Sequence, residues 1–348
     1  MVDMDDVARD LHAWLVEQEQ RGDKVDNLEV LSGGFSQFMA AFDLHTGSGS
    51  RRLVLRASRP VGQAITDTDR AAEWAVIQTL CERGDVPLPA GLWFDEGAAL
   101  GVPCFVVEHV EGQTATRQLA SADDAGRSVV ADKLCDLMVA VHSVPTSEVP
   151  KQLEHPRDWD SHIDSLIDKW RTVERTGLEP DPFVRYMATW LESHKPPPAP
   201  LCLVHGEMNN DNLILDANGE LLAIDWEYAH IGDPREDLGW YRTAAMTMPP
   251  DLIGHDIDTF CARYRAATGL TEDVVNPATV GYFGLLASVS VYSTLVAGPA
   301  AVEASAQAPA LSAYMTAVLG RAHLIWLDNL RELEAALPAK SAHTSSTT

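Results

Sequence analysis

A dense group of polar residues, set between three short apolar strands, constrains the fold of this chain more than any other feature. The segment from His205 to Asn212 reads H-G-E-M-N-N-D-N and follows a predicted strand at 201–204. It leads into a predicted hairpin with strands at 213–216 and 221–224 around the turn D-A-N-G. Because the loop lies beside the end of the returning strand in such a hairpin, polar side chains from both can converge on one point.

The side chains expected at this point are the carboxylate of Glu207, the carboxamide of Asn212 and the carboxylate of Asp225. Hard divalent cations such as Mg²⁺ prefer oxygen ligands of this kind and usually keep waters or share a substrate phosphate. A carboxylate beside such a cation can orient a hydroxyl and accept its proton. The segment therefore predicts a magnesium and phosphoryl-transfer site; the alternative interpretation is a polar turn that only solvates a hairpin.

The regions on either side of this segment differ in their sequence patterns. Residues 1–110 predict a helix over 4–20, then a meander of short strands and a second helix over 67–83. Residues 111–340 predict mainly long helices around the hairpin, and 341–348 form a polar tail. We expect an α+β chain with two lobes, one small and β-rich, the other larger and helical. The strands predicted in the small lobe are 28–31, 38–44, 52–57, 92–94 and 104–107, and the first helices of the large lobe are 122–142, 158–175 and 181–194.

The charge balance argues against one class of partner. The 348 residues include 26 Lys and Arg against 51 Asp and Glu, which gives a formal net charge of −25. An acidic surface repels a phosphate backbone, so we expect no nucleic-acid partner. The same surface would attract polycationic small molecules, or it would serve solubility alone.

Three further features bear on location. The five cysteines are scattered without a C-x-x-C pair, which predicts reduced thiols in a cytoplasm. The stretch 274–302 has no charged residue and is long enough to span a bilayer, but polar residues and prolines interrupt it. The first residues, M-V-D-M-D-D, do not resemble a signal peptide. We expect a cytoplasmic protein without a membrane partner; the oligomeric state, monomer or homodimer, stays open.

Three motifs around the hairpin resemble those of a known family. They are H-G-x-x-x-x-x-N at 205–212, I-D-W-E at 224–227 and G-D-P-R-E-D-L-G-W at 232–240. Together they resemble the motif set of the aminoglycoside phosphotransferase and choline kinase superfamily, above all the branch of kinase-like domains fused to acyl-CoA dehydrogenases. The resemblance spans about 25–245. It implies a protein-kinase-like two-lobed fold and the Mg²⁺-dependent transfer of the γ-phosphoryl group of ATP, with GTP possible, to a hydroxyl of a small molecule.

The resemblance also implies roles for residues of the helical lobe. Asn212 and Asp225 match the family's two metal ligands, and Glu227 matches an acid that supports a second metal ion. His205 is expected to be architectural, and Asp237 is expected to brace the catalytic loop. These assignments place the metal site at the same point that the residue types predict.

One position departs from the family pattern, because Glu207 stands where the family has Asp. A misplacement of about 1 Å can lower a rate on the order of a hundredfold. Three interpretations stay open: Glu207 is the base in a slightly reshaped site, Asp211 replaces it, or activity is weak or lost. The last would make the chain a nucleotide-binding protein without turnover, and a true aminoglycoside kinase is a further alternative.

The segment S-G-G-F-S-Q at 32–37 joins two predicted strands where the family has its nucleotide-covering loop. Backbone N–H groups at Gly33, Gly34 and Ser36 would approach the phosphates there. A Gly-Gly pair between strands is otherwise an ordinary turn.

The remaining nucleotide contacts are implied by position. Arg56 falls where the family has its phosphate-binding Lys, and Glu73 on the next helix is its expected ion-pair partner or else part of an exposed helix face. Glu108 and Val110 lie in the hinge, where backbone groups would meet the adenine.

Two weaker signals complete the set. His142, near the end of a predicted helix, is expected to be structural. Trp159, Trp170 and Trp190 line an acceptor pocket or belong to the core. No sequence motif names the acceptor.

Overall fold

The computed structural model describes residues 4–31, 37–59, 68–176, 181–246, 248–289, 323–331 and 333–335. The predicted loop residues Gly33, Gly34 and Ser36 and the predicted tail 341–348 lie outside the described residues. Within the described ranges, no helix combines the length and the apolar character needed to cross a membrane.

The first part of the chain forms a five-stranded sheet in the order β1-β2-β3-β5-β4, with every neighbouring pair antiparallel. The central hairpin pairs Gln37 with Ser58 at its open end and Thr46 with Gly49 beside a two-residue turn. The two-residue turn fixes the register of this hairpin, so Gln37 and Arg56 both lie near its open end. The strands are β1 (Lys24–Val30), β2 (Gln37–Thr46), β3 (Gly49–Ser58), β4 (Gly91–Asp95) and β5 (Cys104–Glu108).

One helix covers each face of this sheet. Leu11 of the N-terminal helix and Phe42 belong to one buried apolar cluster. Leu80 of the following helix and Phe105 belong to another, which continues into the helical lobe. The two helices are α1 (Met4–His12), continued as a π-helix over Ala13–Gln18, and α2 (Arg70–Arg83).

Helix α2 begins three residues later than the predicted range 67–83. The carboxylate of Asp69 accepts hydrogen bonds from the N–H groups of Ala71 and Ala72, at 3.0 and 3.1 Å, and so caps the first turn. The helix ends at Gly84, whose φ of 71° lets its N–H close the last turn. These caps fix where Arg70 and Glu73 lie on the helix.

The second part of the chain is mainly helical, as predicted. Three of its helices agree with the predicted ranges 122–142, 158–175 and 181–194 to within two residues at each end. Residues 277–289 and 323–331 are also helical. The named helices are α3 (Ala115–Leu119), α4 (Asp124–His142), α5 (Trp159–Thr176), α6 (Pro182–Ser193), α7 (Arg235–Ala245) and α8 (Ile257–Thr268).

The strand predicted at 201–204 forms β7 (Cys202–Val204), and its partner is β10 (His230–Gly232). The residues after the hairpin were expected to be helical to about 336, so the prediction was wrong at β10. A three-residue strand stabilised by a distant partner has too few residues to show a periodic pattern. The hairpin itself forms as predicted. Its two strands and the strand that pairs with the first of them are β8 (Leu213–Asp216), β9 (Leu221–Ala223) and β6 (Gly112–Thr114).

Two of the three tryptophans singled out in the helical lobe are core residues. Trp170 and Trp190 are buried in one cluster with Phe283, and the Trp170 indole N–H donates to the backbone of Leu286 at 3.1 Å. The pocket interpretation is therefore wrong for these two residues. Trp159 is half-buried, and its indole N–H donates to a carboxylate oxygen of Asp233 at 2.7 Å.

Helix α7 meets the helical residues 277–289 at two glycines. A Cβ atom on Gly239 would overlap the backbone of Gly284, and one on Gly284 would press against the Gly239 carbonyl. The Thr243 hydroxyl donates to the carbonyl oxygens of both glycines, at 3.0 and 3.2 Å. This part of the uncharged stretch is thus a buried helix packed on α7.

Candidate active site

The loop that follows β7 is held by Asp237, which lies in the first turn of α7. The N–H groups of His205 and Gly206 each donate to one oxygen of this carboxylate, both at 2.9 Å. Gly206 has a φ of 83°, and a Cβ there would overlap the carbonyl oxygen of Tyr228. The loop backbone is therefore fixed where Glu207 begins.

Asp237 is fully buried and has a second set of partners. The ring of His142 contacts it through Nε2 at 3.0 Å, and Nδ1 of the same ring lies 2.7 Å from the Tyr264 hydroxyl. Burial alone would raise the pKa of Asp237, but the hydrogen bond and charge of His142, together with His205, outweigh this and lower the pKa. A buried carboxylate with three hydrogen-bond partners is a brace, which agrees with the roles predicted for Asp237 and His142.

His205 is buried against Trp226, with ring centroids 4.6 Å apart. Its Nε2 lies 3.0 Å from the carbonyl oxygen of Ile224, and its Nδ1 accepts the Glu207 N–H at 3.3 Å. Burial lowers the pKa of His205, so the ring is neutral with its proton on Nε2. It ties the loop to the end of β9, an architectural arrangement.

Asn212 is positioned by a short turn. The side chain of Asn209 accepts hydrogen bonds from the N–H groups of Asp211 and Asn212, at 2.9 and 3.1 Å. The Asn212 amide donates to the Glu207 carbonyl at 3.0 Å and lies 3.5 Å from its carboxylate. Asn212 also accepts the Ile224 N–H at 2.9 Å through its backbone. Loop and hairpin are thus joined where the sequence predicted.

The negative charges at this point are crowded. Burial, and then the charges of Asp225 and Glu227, raise the pKa of Glu207 to about 8. Asp225 itself has a φ of 69°, a left-handed conformation that costs a non-glycine residue roughly 1–2 kcal/mol. Oxygen donors with an excess of negative charge are what a hard divalent cation binds, so Asn212, Asp225 and Glu227 fit a Mg²⁺ ion.

Arg56 reaches this acidic group from the sheet. Its guanidinium lies 2.5 Å from Asp225 and 3.2 Å from Glu73. The predicted pair between Arg56 and Glu73 is present, and the exposed-face interpretation of Glu73 is wrong, because Glu73 is buried. Burial raises the pKa of Glu73 despite the nearby Arg56 and Arg70.

Two residues of this network were not predicted. Arg70 forms an ion pair with Glu73 and lies 3.6 Å from a carboxylate oxygen of Glu227. The Gln37 carbonyl oxygen accepts from Arg56 and Arg70, both at 3.1 Å, and its amide lies 3.1 Å from both oxygens of Asp225. The spacing of Arg70 three residues before Glu73 was an available signal, but nothing local distinguishes Gln37.

The predicted hinge follows β5. The Glu108 N–H donates to the Ala90 carbonyl at 3.0 Å, and its side chain forms an exposed ion pair with Arg51 at 2.7 Å. Only its carbonyl oxygen is then suited to contact a nucleotide base. Val110, the other predicted hinge residue, is half-buried two positions later.

A second group with ligand-type atoms lies behind the loop. Donor atoms of His162, His230 and Glu236 are within 4.8 Å of one another. They already bond to each other, since His162 contacts the Glu236 carboxylate at 2.6 Å and His230 contacts it at 3.2 Å. The Asp233 N–H also donates to Glu236 at 2.7 Å. This group is a closed hydrogen-bonded brace between α5, β10 and α7.

The small antiparallel sheet, the helical lobe and the hairpin between them form the protein-kinase-like fold of small-molecule phosphotransferases. The chain belongs to the phosphotransferase enzyme family, because it matches the family's sequence model over residues 27–274. The fold class and the family inferred from the sequence are confirmed.

Acyl-CoA dehydrogenase family member 10 of Mus musculus is a relative, with 26% identity over 208 residues. The aligned part is 57% of this chain and only 19% of the mouse protein. The chain therefore corresponds to a small part of that relative.

Two solved structures show the same fold. A Ralstonia eutropha protein provisionally assigned as an aminoglycoside phosphotransferase superimposes with a TM-score of 0.67 and 20% identity, covering 95% of this chain and 99% of that one. A thermostable mutant of aminoglycoside phosphotransferase APH(4)-Ia, in complex with ADP and hygromycin B, gives a TM-score of 0.57 and 19% identity, covering 84% and 96%. At these identities the likeness concerns the fold.

Proposed function

We propose that this chain transfers the γ-phosphoryl group of ATP, with GTP as the less favoured donor, to a hydroxyl of a small molecule. The observation that carries the proposal is the meeting of Glu207, Asn212 and Asp225 on one braced loop and hairpin, opposite Arg56 of the sheet. The nucleotide-bound family structure and the family membership support the use of a nucleotide.

Asn212 and Asp225 would hold Mg²⁺, and Glu227 would support a second ion. The metal would neutralise charge on the transferring phosphates. Arg56 would contact the phosphate oxygens with its planar fork while Glu73 holds it in place. The loop with Gly33, Gly34 and Ser36 would cover the phosphates, and the backbone of Glu108 and Val110 would meet the base.

Glu207 would orient the acceptor hydroxyl and accept its proton. Its burial beside Asn212 and the charge of Asp225 supports this role. Asp211, the alternative base, has an exposed side chain on the next turn of the loop. Positioning and electrostatics supply most of the catalysis in phosphoryl transfer, so a fixed loop can serve different acceptors.

The test is a screen of ATP consumption against a library of hydroxyl-containing metabolites, with the Asp225→Ala variant as the blank. We expect at least one compound to raise ATP consumption in the natural chain and not in the variant. Equal consumption by both proteins with every compound would contradict the proposal. A thermal shift with nucleotide but no turnover would instead favour a nucleotide-binding protein without activity.

An aminoglycoside kinase is a narrower version of the same proposal. The acidic surface and the aminoglycoside-bound relative are compatible with it. Expression in a sensitive bacterium should then raise the inhibitory concentration of at least one aminoglycoside, and no change across a panel would remove this version alone.

A further inference from the structure

Gln37 connects the two lobes at the predicted metal site. It is the first residue of β2 and only 1% exposed, although its side chain is polar. Its amide nitrogen lies 3.1 Å from each oxygen of Asp225, a residue 188 positions later in the chain. Gln37 therefore contacts a carboxylate of the helical lobe from inside the sheet.

The other end of the same carboxamide faces two arginines, Arg56 of β3 and Arg70 of α2. Its carbonyl oxygen accepts from Arg56 Nε and from Arg70 Nη1, each at 3.1 Å. A carboxamide combines an acceptor and donors in one neutral group. A carboxylate at this position would have no proton to donate to Asp225, and an ammonium group could not accept from the arginines. The site uses both ends of the amide.

Asp225 needs such support for two reasons. Its backbone has a φ of 69°, so its orientation is not the one that a non-glycine residue adopts by default. Its carboxylate is also drawn toward Arg56, at 2.5 Å. A donor placed between both oxygens holds the plane of the carboxylate and leaves further lone pairs for another ligand.

We propose that Gln37 is a positioning residue that fixes the Asp225 carboxylate for the metal–nucleotide complex, a role that rests on the proposed phosphotransferase function. Groups that orient metal ligands by hydrogen bonds typically change metal affinity about 10- to 100-fold when removed. Gln37 acts on the ligand from the opposite lobe, so the metal site is complete only when the two lobes meet as they do here.

The test compares Gln37→Met with Gln78→Met. Both changes replace a carboxamide by a side chain of similar length, and the Gln78 amide donates to Gly91 O at 3.3 Å instead of to the metal site. Mn²⁺ binding is measured by electron paramagnetic resonance in the presence of AMP-PNP, and AMP-PNP binding without metal is measured by calorimetry. We expect Gln37→Met to weaken Mn²⁺ binding about 10- to 100-fold and to change metal-free nucleotide binding less than about twofold.

The outcomes separate this role from the proposed function. If the natural chain binds no Mn²⁺ with AMP-PNP, the proposed function fails and the role of Gln37 fails with it. If the natural chain binds Mn²⁺ and Gln37→Met binds it equally well, only the role of Gln37 is overturned. Should Gln37→Met not fold, Gln37→Asn, which keeps the amide one methylene short of Asp225, is held to the same comparison: unchanged Mn²⁺ affinity overturns the role.

Discussion

Two buried networks of charged residues lie on either side of the loop 205–212, and they differ in how completely their polar groups are paired. Behind the loop, Asp237 and Glu236 are bonded on every side by histidines and backbone N–H groups. In front of it, the acids Glu73, Asp225 and Glu227 face two arginines. Within the described residues, Nε of Arg70 has no hydrogen-bond partner there, and Oε1 of Glu73 has only the ion pair with Arg56 at 3.2 Å.

This difference in pairing distinguishes a network that holds the fold from one that can bind a ligand. A buried polar network whose members are all paired stabilises one conformation, and an incompletely paired one has capacity for a further ligand. The network behind the loop has no such capacity. The network around Asp225 has more carboxylates than arginines can pair, and the charges of Asp225 and Glu227 help to raise the pKa of Glu207. Substitutions behind the loop should therefore affect stability, and substitutions in front should affect catalysis.

The largest effect on stability is expected from Asp237→Asn. The change leaves one loop N–H facing an amide donor and removes the buried carboxylate charge that His142 contacts, so the unfolding free energy should fall by about 3–5 kcal/mol. Urea denaturation followed by circular dichroism measures this. Glu207→Gln, which replaces a carboxyl whose pKa is raised to about 8 by an uncharged amide of the same size, should lower stability by much less. Equal losses would show that the two networks do not differ in this way.

The largest effect on catalysis is expected from the same Glu207→Gln variant. A glutamine cannot accept the acceptor's proton, so kcat with an acceptor found in the screen should fall about 10²- to 10⁴-fold. Asp211→Asn is the matched control and should keep nearly full activity, because its side chain is exposed. Full activity of Glu207→Gln with loss in Asp211→Asn would transfer the base role to Asp211.

The smallest effect is a pH dependence of the network behind the loop. Burial alone would lower the pKa of His230, but Glu236 outweighs this and raises it above the usual 6.5. Burial alone would raise the pKa of Glu236, but His162 and His230 lower it well below the usual 4.5. The histidine contribution is complete below pH 6.5 and is lost as pH rises through the raised value. The glutamate contribution is complete above pH 4.5 and is lost as pH falls.

The difference in unfolding free energy between the natural chain and Glu236→Gln should therefore be greatest between pH 4.5 and 6.5. It should shrink on both sides of that window in a series of urea denaturations. Glu334→Gln, an exposed acid in the helical lobe, serves as the control and should show no such window. If this difference in unfolding free energy did not vary with pH, then Glu236 would not interact electrostatically with His162 and His230.

Much of this architecture could be predicted because its signals are local. The hairpin is specified by short apolar runs around D-A-N-G, and the ion pair of Arg56 and Glu73 followed from family positions. The pairing of β10 with β7 and the bond from Gln37 to Asp225 were missed, since each depends on residues distant in the sequence. The sequence placed Gln37 at the end of the predicted loop 32–37, and its contact with Asp225 becomes evident only when the two lobes are packed together.

The contact between Gly239 and Gly284 determines which residues can be accommodated where α7 packs on the helix at 277–289. Helix α7 carries the brace Asp237, and it meets the helix at 277–289 at two glycine backbones whose carbonyl oxygens both lie within hydrogen-bond distance of the Thr243 hydroxyl. A larger residue at either glycine would therefore push α7, and Asp237 with it, away from this helix. Under the proposed function, this contact would keep the loop 205–212 in place while other residues of the helical lobe differ with the acceptor.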